Sequence, residues 1–377
     1  MHTRFLWTVF WGLVLSGLAV PASAQEPWQP MFNGKDFSGW VLTNTPAETW
    51  SYKGEVIVCS GKPIGEIRTA KMYQNFVMEL EWRHLVPKGN AGVFIWADDI
   101  TSRGVPFHRG IEVQVLENDY GNNESHTTHG DIFPIHGAQM TPINGRGGSR
   151  AFPTEFRSNP SPEWNHYRIE GRSGEISLAV NGKLVTRGRK CVPSQGYICL
   201  ESEGGVVEYR NVRIQELPSE GIPQSQVAIA DRGYQSIYNG LSLEGWLGDA
   251  NHWKANDWVL SCSSPKTKTK LRSARPFENA NLVVDVRLKD EESMAAISIG
   301  SEMTILLSEP AIHKFLEPNG KWNRIERIKR GDGFQLTVNG HVVGDASPSS
   351  ASGPVELEAG GAVEFANIYV GPRDQID

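Results

Sequence analysis

The chain carries one set of short motifs twice, in the same order. The first copy opens with Phe32-Asn33-Gly34 and Gly39-Trp40, and the second opens with Tyr238-Asn239-Gly240 and Gly245-Trp246 at the same internal spacing. Four further blocks match: Trp50 to Cys59 with Trp253 to Cys262, Phe76 to Glu81 with Leu282 to Arg287, Trp164-Asn165 and Val180 to Lys183 with Trp322-Asn323 and Val338 to His341, and Gly204 to Asn211 with Gly360 to Asn367. Such a repeat within 377 residues predicts two copies of one folded module.

Short alternating or apolar runs, such as Phe76 to Trp82, predict strands in both copies. The Asn-Gly pairs at 181–182 and 339–340 predict hairpins, because these residues supply the positive φ angles of a type I′ turn. We therefore expect an all-β protein of two tandem antiparallel β-sandwiches. The expected organisation is a first sandwich over residues 25–217, a linker over 218–230 and a second, degenerate sandwich over 231–372.

The N-terminus has the pattern of a secretory signal peptide over residues 1–24. A short basic start precedes an apolar run from Phe5 to Val20, and Pro21-Ala22-Ser23-Ala24 ends in an A-x-A cleavage pattern. We expect cleavage after Ala24 and a secreted or periplasmic protein. The apolar run is short for a membrane span, and no other stretch is long and apolar enough to cross a bilayer.

The charge balance argues against one class of partner. The net charge is -6 and no Lys/Arg run stands out, so we expect no binding to nucleic acid. The 12 Trp residues favour an aromatic-rich sandwich with a carbohydrate ligand.

The four cysteines leave two alternatives open. Export would permit disulfides, and Cys191 and Cys199 are close enough in sequence to bridge neighbouring strands. Four buried free thiols are the other interpretation. No C-x-x-C pair is present, which excludes a zinc-finger or thioredoxin motif.

The two copies differ mainly in one segment. The offset between them is about 206 residues in the early blocks and 158 from Trp164 onward, so the second copy lacks about 48 residues from within 97–163. That segment is rich in His, Asp, Glu, Gly and Arg. A scaffold present in both copies serves the fold, whereas a polar segment in one copy is the better place for a chemical site.

One predicted strand in this segment, Arg109 to Glu117, has one apolar face and one polar face. Its Ile and Val residues share one face, and Glu112 and Gln114 share the other. The polar pair could simply be solvated. Alternatively it could line a concave sheet face, where it would hold a polar ligand or act as a base.

Histidines are concentrated in the same segment. Residues 125–137 contain three of them together with Asp131, and His108 lies upstream. With Glu112 they could form a divalent-metal site or a His/carboxylate acid–base pair, although their spacing fits no recognised metal motif. The candidate catalytic residues are His108, Glu112, Asp131 and His136.

Four side chains are candidates for binding a substrate: Arg83, Trp96, Gln114 and Arg150. Trp rings stack on pyranose rings, and Arg donates in a fork to hydroxyl or carboxylate groups. Trp164 has a counterpart in Trp322 and is therefore expected in the core. Trp96 corresponds to Gly300, which makes it the better stacking candidate.

In combination these motifs resemble the 3-keto-disaccharide hydrolase family over roughly residues 28–217. The residues that carry the resemblance are Phe32 to Asp36 with Gly39-Trp40, Asn90 to Phe94, Ile111 to Glu117, Gly130 to Phe133, Glu163 to Asn165 and Val180 to Gly182. The resemblance implies a concanavalin-like jelly roll and activity on carbohydrate. The second copy resembles the family scaffold without its site.

The resemblance also implies a type of chemistry. A ketone at C3 of a sugar acidifies the C2 proton, so that a base can remove it and the group on C1 can leave; addition of water then gives net hydrolysis. Such a site needs a base, a group that stabilises the enolate and an acid for the leaving oxygen. We expect a His as the base and Glu112 as a ligand or orienting carboxylate, and a divalent metal ion could stabilise the enolate.

Two alternative functions remain open. Jelly rolls often only bind carbohydrate, which gives a non-catalytic module. A retaining glycosidase would need two carboxyl groups about 5 Å apart, and Gln114 at the partner position on the strand counts against it.

Overall fold

The structure is a computed structural model that describes residues 26–120, 129–263, 267–300, 303–346 and 351–372. Its strands form four antiparallel sheets, two in each copy of the repeat. Each copy encloses a separate hydrophobic core. The predicted fold class, two tandem β-sandwiches, is confirmed.

The first sandwich contains strands β1 to β15. Its larger sheet has the order β10-β13-β12-β11-β6-β15-β4-β3, with β1 beside β15, and its smaller sheet has the order β2-β5-β14-β7-β8-β9. The strands are β1 Gln29–Pro30, β2 Trp40–Leu42, β3 Trp50–Lys53, β4 Val56–Cys59, β5 Gly65–Thr69, β6 Phe76–His84, β7 Gly92–Ala97, β8 Gly110–Gln114, β9 Ile132–Ile135, β10 Gln139–Pro142, β11 Asn165–Arg172, β12 Glu175–Val180, β13 Lys183–Val192, β14 Tyr197–Ser202 and β15 Val207–Glu216.

The second sandwich contains strands β16 to β28 and one short helix, α1. Its larger sheet has the order β18-β19-β28-β21-β24-β25-β26, with β16 beside β28, and its smaller sheet has the order β17-β20-β27-β22-β23. The elements are β16 Gln235–Ser236, β17 Trp246–Gly248, β18 Trp253–Asn256, β19 Val259–Ser263, β20 Thr269–Glu278, β21 Asn281–Leu288, β22 Met294–Ile299, β23 Met303–Leu306, α1 Pro310–His313, β24 Asn323–Arg330, β25 Gly333–Val338, β26 His341–Ala346, β27 Ser352–Gly360 and β28 Ala362–Gly371. Single 3-10 turns lie at Ala47–Thr49, Gln224–Gln226 and Ala250–His252.

Alternation along the strands forms the two cores. In β11 the residues alternate between buried and partly buried, with Tyr167 and Ile169 fully inside. The same pattern in β24 buries Ile325. Burial of these alternate apolar side chains removes their surface from water and is the main contribution to stability. The predicted hairpins are present, with Asn181 and Asn339 at φ of 47° and 51°.

At one pair of equivalent strands, β6 and β21, the strand pairing matches residues of the two modules differently from the sequence comparison. Asn165 pairs with Trp82, and its counterpart Asn323 pairs with Val286. Glu81, rather than Glu79, is therefore the structural counterpart of Asp285. A slip of two residues keeps each side chain on the same face of the strand, which is why the apolar pattern did not reveal it.

The extra residues of the first copy divide into two connections. Residues 98–109 join β7 to β8, where the second copy has only residues 300–302 between β22 and β23. The remainder follows β8 and includes β9 and β10. Residues 121–128, which include His126 and the other first residues of the His-rich stretch up to Thr128, lie outside the described part of the chain.

The cysteines are four buried free thiols. Cys191 lies in β13 and Cys199 in β14, which belong to different sheets, so the alternative of a bridge between neighbouring strands is wrong. Among the described residues, no helix has the length and apolar character that a membrane crossing requires.

Candidate functional site

The smaller sheet of the first module carries a polar outer face. Its inner face contributes Ile67, Val93, Ile111 and Leu200 to the core. The alternate residues point away from the core, and the ladder places Glu66 beside Glu201 and Phe94 beside Glu112. A cleft of about 280 Å³ lies over this face; its lining includes Asn90, Phe107, Glu112, Gln114, Tyr120, Phe133, His136, Arg150, Glu201 and Glu203.

A glycine creates the space at the centre of the cleft. A β-carbon on Gly92 would lie 2.9 Å from Glu201 Oε2 and 3.1 Å from Glu112 Oε1. The first distance is shorter than real side chains show, and the second is tight enough that Glu112 would have to move. Gly92 therefore lets two carboxyl groups from different strands approach each other over the sheet.

Glu112, Glu201 and Glu203 are desolvated and lie close to one another, and both effects disfavour their charged forms. Burial, reinforced by the charge of Glu203, holds the pKa of Glu112 well above its usual range. Burial and the charge of Glu112 do the same for the pKa of Glu201, whose Oε2 has no hydrogen-bond partner. Burial raises the pKa of Glu203 to about 7, although Asn90 donates a hydrogen bond to it. At neutral pH this face can therefore hold and release protons.

Arg150 brings positive charge to the opposite wall of the cleft. Its Nη1 donates to Asp131 Oδ2 at 2.8 Å, and its guanidinium lies 3.4 Å from the centre of the Phe133 ring. Asp131 is fully buried behind it. Asp131, a predicted catalytic residue, thus orients Arg150, and Arg150, a predicted substrate-binding residue, lines the cleft.

His136 lines the cleft, and His108 lies beneath it. His136 is exposed as a whole residue, but its ring stacks on Phe107 with centroids 6.3 Å apart, and partial desolvation of the ring lowers the pKa of His136. His108 is fully buried, and its Nδ1 and backbone N–H both contact Glu66 Oε2. His129 forms a contact with Ser158 outside this cleft, and burial lowers its pKa to about 4.

Within the described part of the chain, one group of three side chains could hold a metal ion. The ligand atoms of Glu66, His108 and Cys199 lie within 4.8 Å of one another, and Glu66 Oε1 and His108 Nε2 lack hydrogen-bond partners. Carboxylate, imidazole and thiolate donors suit a borderline ion such as Zn²⁺. Burial raises the pKa of the Cys199 thiol well above its usual range, so such an ion would have to displace that proton.

Two predicted ligands lie elsewhere. Trp96 is fully buried in the core, with its Nε1 donating to Gln74 O at 3.0 Å, so the prediction that it stacks on a sugar is wrong. Its φ of 55° breaks the alternation of β7 and turns the ring inward, and its counterpart Gly300 has the same left-handed backbone at 59°. Trp96 and Gly300 therefore correspond because both have a left-handed backbone, and the absence of a Trp from the second copy does not mark a ligand site.

Arg83 lies on the outer face of the larger sheet, away from the cleft. It pairs with Glu208 at 2.7 Å and packs over Trp164. Trp164 is half-buried between Arg83 and Arg210 rather than in the core that was predicted for it. Gln114 is buried in the cleft as predicted, where its Nε2 donates to Asn90 Oδ1.

The second module shows the same sheet face without the site. Pairing in the smaller sheet makes Ala296 the counterpart of Gly92, Thr304 that of Glu112 and Lys270 that of Glu66. Glu358, the counterpart of Glu201, forms ion pairs with Lys268 at 2.8 Å and with Lys270 at 3.3 Å. The face that is rich in unneutralised carboxyl groups in the first module is neutralised in the second.

Sequence reasoning missed three carboxyl groups of the site, Glu66, Glu201 and Glu203. They lie outside the segment that distinguishes the copies: Glu66 is on β5, Glu201 is on β14 and Glu203 directly follows β14, and both copies share these two strands. The available signal was the alternation Glu201-Ser202-Glu203 next to a buried strand, together with Lys270 in the second copy where the first has Glu66.

Known proteins resemble the chain to different extents. A candidate glycosyl hydrolase of Parabacteroides distasonis is 23% identical over 51% of this chain and 94% of its own, with a TM-score of 0.41. A carbohydrate-binding module of Bacillus subtilis is 15% identical over 47% of this chain and 96% of its own, with a TM-score of 0.34. No curated protein sequence matches the chain. The model of the 3-keto-alpha-glucoside-1,2-lyase-like domain matches residues 27–215, half of the sequence, and the chain therefore belongs to this family.

Proposed function

We propose that this protein is exported and cleaves glycosides of 3-keto sugars in the cleft of its first module. The observation that carries the proposal is that a buried carboxyl group, an imidazole and a guanidinium meet over one sheet face, in Glu112, His136 and Arg150. Membership of a 3-keto-glucoside lyase-like family supports the same class of substrate.

Each of these groups can take one part in an elimination. His136 Nε2 or Nδ1 accepts the C2 proton, and the electron pair of that C–H bond moves toward the C3 ketone, whose oxygen becomes an enolate. Arg150 lies where it can stabilise this negative charge. When the enolate collapses, the C1–O bond breaks and Glu112 gives its proton to the leaving oxygen. Water then adds across the C1–C2 double bond, which completes a net hydrolysis.

The protonation states fit these roles at neutral pH. Desolvation lowers the pKa of His136, so the ring is neutral and can accept a proton. Burial holds the pKa of Glu112 well above its usual range, which favours the protonated form that can donate. A divalent ion at Glu66, His108 and Cys199 would add Lewis acidity next to the cleft.

The direct test compares two substrates. The protein is incubated with a 3-keto-glucoside and with the unoxidised glucoside, each with and without a chelator. Turnover of the keto form alone supports the proposal. Binding of either sugar without turnover would reduce the protein to a carbohydrate-binding module. Loss of turnover in the chelator would assign a role to a metal ion.

We predict that Glu112→Gln abolishes this activity while the fold survives. The amide keeps the shape of the side chain but cannot deliver a proton, so kcat should fall by about 10²-fold or more. Glu163→Gln makes the same change at an exposed position and serves as the control. Full activity in the Glu112 variant, measured by release of the aglycone, would remove this residue from the site.

A second candidate function is supported by the pair at Gly92. Glu112 on β8 and Glu201 on β14 approach each other over Gly92 of the intervening strand β7, and a glycosidase needs two such carboxyl groups on either side of the scissile bond. The partner that was absent from the strand of Glu112 is thus supplied by β14. Turnover of the unoxidised glucoside in the same assay would favour this function over the elimination.

A further inference from the structure

The connection between β7 and β8, residues 98–109, covers part of the cleft floor. Its last residues reach the cleft directly: Phe107 packs on Phe94 with ring centroids 5.9 Å apart, and His108 bonds to the buried Glu66. Asn44 Nδ2 donates to Pro106 O at 2.6 Å and anchors this end of the connection to the first module. Movement of the connection would therefore move two groups at the site.

The tip of the same connection, residues 102–105, lies on the second module. Asp285 Oδ2 accepts from the Gly104 backbone N–H at 2.8 Å, and Asn367 Nδ2 donates to Ser102 O and Val105 O at 3.1 and 2.9 Å. Asp285 is itself fully buried and held by a fork of Arg324 at 2.7 and 2.9 Å. A rigid, charged group thus fixes the backbone of the tip.

Contacts before the tip and within it extend the interface. Thr101 Oγ1 is 2.7 Å from Tyr369 Oη, and Ile100 packs in a buried cluster with Tyr234, Val283 and Tyr369. A β-carbon on Gly104 would lie 2.5 Å from the Trp322 ring. Gly104 also has a φ of 71°, so two independent constraints require glycine at this position.

The duplication provides an internal comparison for this face. Strand pairing makes Glu81 and Arg210 of the first module the counterparts of Asp285 and Ala366. In the first module Arg210 Nε donates to Glu81 at 2.6 Å, and its guanidinium covers Trp164 at 4.0 Å. The side chain of Arg210 thus closes the face that the second module leaves open.

At the equivalent place in the second module, the small side chain of Ala366 leaves room for the backbone of Gly104 beside Asp285 and the Trp322 ring. Trp322, the counterpart of Trp164, has Arg287 on one side at 4.4 Å and Gly104 against the ring. The two modules therefore have the same scaffold, but only the second is shaped to accept the backbone of a loop.

We propose that the second module is a positioning element for the cleft of the first module, and that Asp285 and Asn367 are its positioning residues. They hold the tip of residues 98–109, and the connection transmits this restraint to Phe107 and His108. The importance of this restraint for catalysis rests on the proposed function, whereas the restraint itself is a property of the free protein. The second copy thus lacks the carboxyl-rich cleft of the first and has a docking face that the first lacks.

The test is hydrogen exchange in the full-length protein without a ligand. Ala366→Arg installs the residue that closes the equivalent face of the first module, and Gly104→Ala removes the fit from the loop side. Each should raise the exchange rates of amides in residues 98–109, including the His108 N–H bonded to Glu66, by about tenfold or more. The strands β11 and β24 should keep their protection and report that both modules remain folded.

Three controls match these changes. Thr304→Arg adds the same charge at an exposed position on the smaller sheet of the second module. Gly147→Ala repeats the substitution of a positive-φ glycine where no atom lies within 4 Å. Ala366→Ser is small enough to keep the docking face open. All three should exchange like the wild type.

The outcomes separate the two steps of the proposal. Unchanged protection of residues 98–104 in both variants would overturn the docking. Faster exchange at the tip with an unchanged His108 N–H would overturn the positioning role. If Ala366→Arg loses protection in β24, the second module has unfolded in that variant, and the exchange rates of Gly104→Ala then decide whether the docking exists. A wild-type protein inactive on 3-keto-glucosides would refute the proposed function, and the exchange result would still decide the positioning.

Discussion

At the scale of single residues, the site depends on a missing β-carbon. Gly92 has an ordinary extended backbone, so the turn geometry of glycine is not the reason for its presence. The reason is the space between Glu112 and Glu201. The second module has Ala296 at the same place, and there the neighbouring Glu358 is held by lysines instead of facing a second carboxyl group.

We expect Gly92→Ala to disrupt the cleft with limited damage to the fold. The new methyl group would push one carboxyl group aside, so turnover should be lost, and the free energy of unfolding should fall by about 1–3 kcal/mol because of overpacking. Aglycone release and urea unfolding measure the two effects. Gly333→Ala, at a strand position with no atom within 4 Å, is the matched control. Wild-type turnover in the Gly92 variant would show that the gap has no role.

Glu203 should make stability depend on pH in a definite direction. Its pKa is about 7 in the folded protein and lower in the unfolded chain, so the folded state binds more protons between these values. The contribution of Glu203 is therefore fully present below its unfolded pKa and is lost as pH rises through 7.

Glu203→Gln removes this dependence. The stability of the variant relative to the wild type should increase between pH 5 and pH 8, by about 1–3 kcal/mol. Chemical denaturation at several pH values gives the difference directly, which cancels the opposite trend from the buried histidines. The free energy of unfolding of the Glu163→Gln variant should change with pH in the same way as that of the wild type, because Glu163 is exposed. Parallel curves for the Glu203 variant would show that its carboxyl group is not desolvated.

At the scale of elements, the sequence predicted the strands and hairpins well because alternation and Asn-Gly turns are local signals. Glu112, Gln114, Arg150 and His136, which the comparison of the two copies had singled out within residues 97–163, line one cleft. Glu112 and Gln114 nevertheless lie on β8, a strand that the second copy retains as β23. The sequence could not assign side chains to faces where a bulge intervenes. Trp96 turns into the core at such a position, with its φ of 55°.

The two sheets of the first module give opposite expectations for two arginines. Arg150→Lys keeps the charge but loses the planar fork over Phe133, so turnover should fall by about tenfold or more. Arg83→Lys makes the same change on the outer face of the larger sheet, where the Glu208 ion pair is far from the chemistry. Its turnover should stay within about twofold of the wild type, as for surface changes in general. Equal losses in both variants would place substrate on the larger sheet as well.

At the scale of the whole molecule, the duplication explains why the two modules have the same fold but different surfaces. The same scaffold carries a carboxyl-rich cleft in one copy and a docking face in the other, because a few substitutions, such as Lys270 for Glu66 and Ala366 for Arg210, change what each sheet face can bind. The sequence revealed the duplication, but the two faces depend on pairs of residues from distant strands. Contacts such as Gly104 with Asp285, which join the modules, have no local signal.

The interface between the modules should also couple their unfolding. Asp285, Tyr369 and the cluster around Ile100 are buried where residues 98–109 meet the second module. Unfolding of one module would expose these groups on the other, so we expect a single calorimetric transition for the wild type. Ala366→Arg separates the tip from the second module and should divide this into two transitions, whereas Thr304→Arg should leave one. Two separate transitions in the wild type would mean that the interface is too weak to transmit the restraint on which the cleft is proposed to depend.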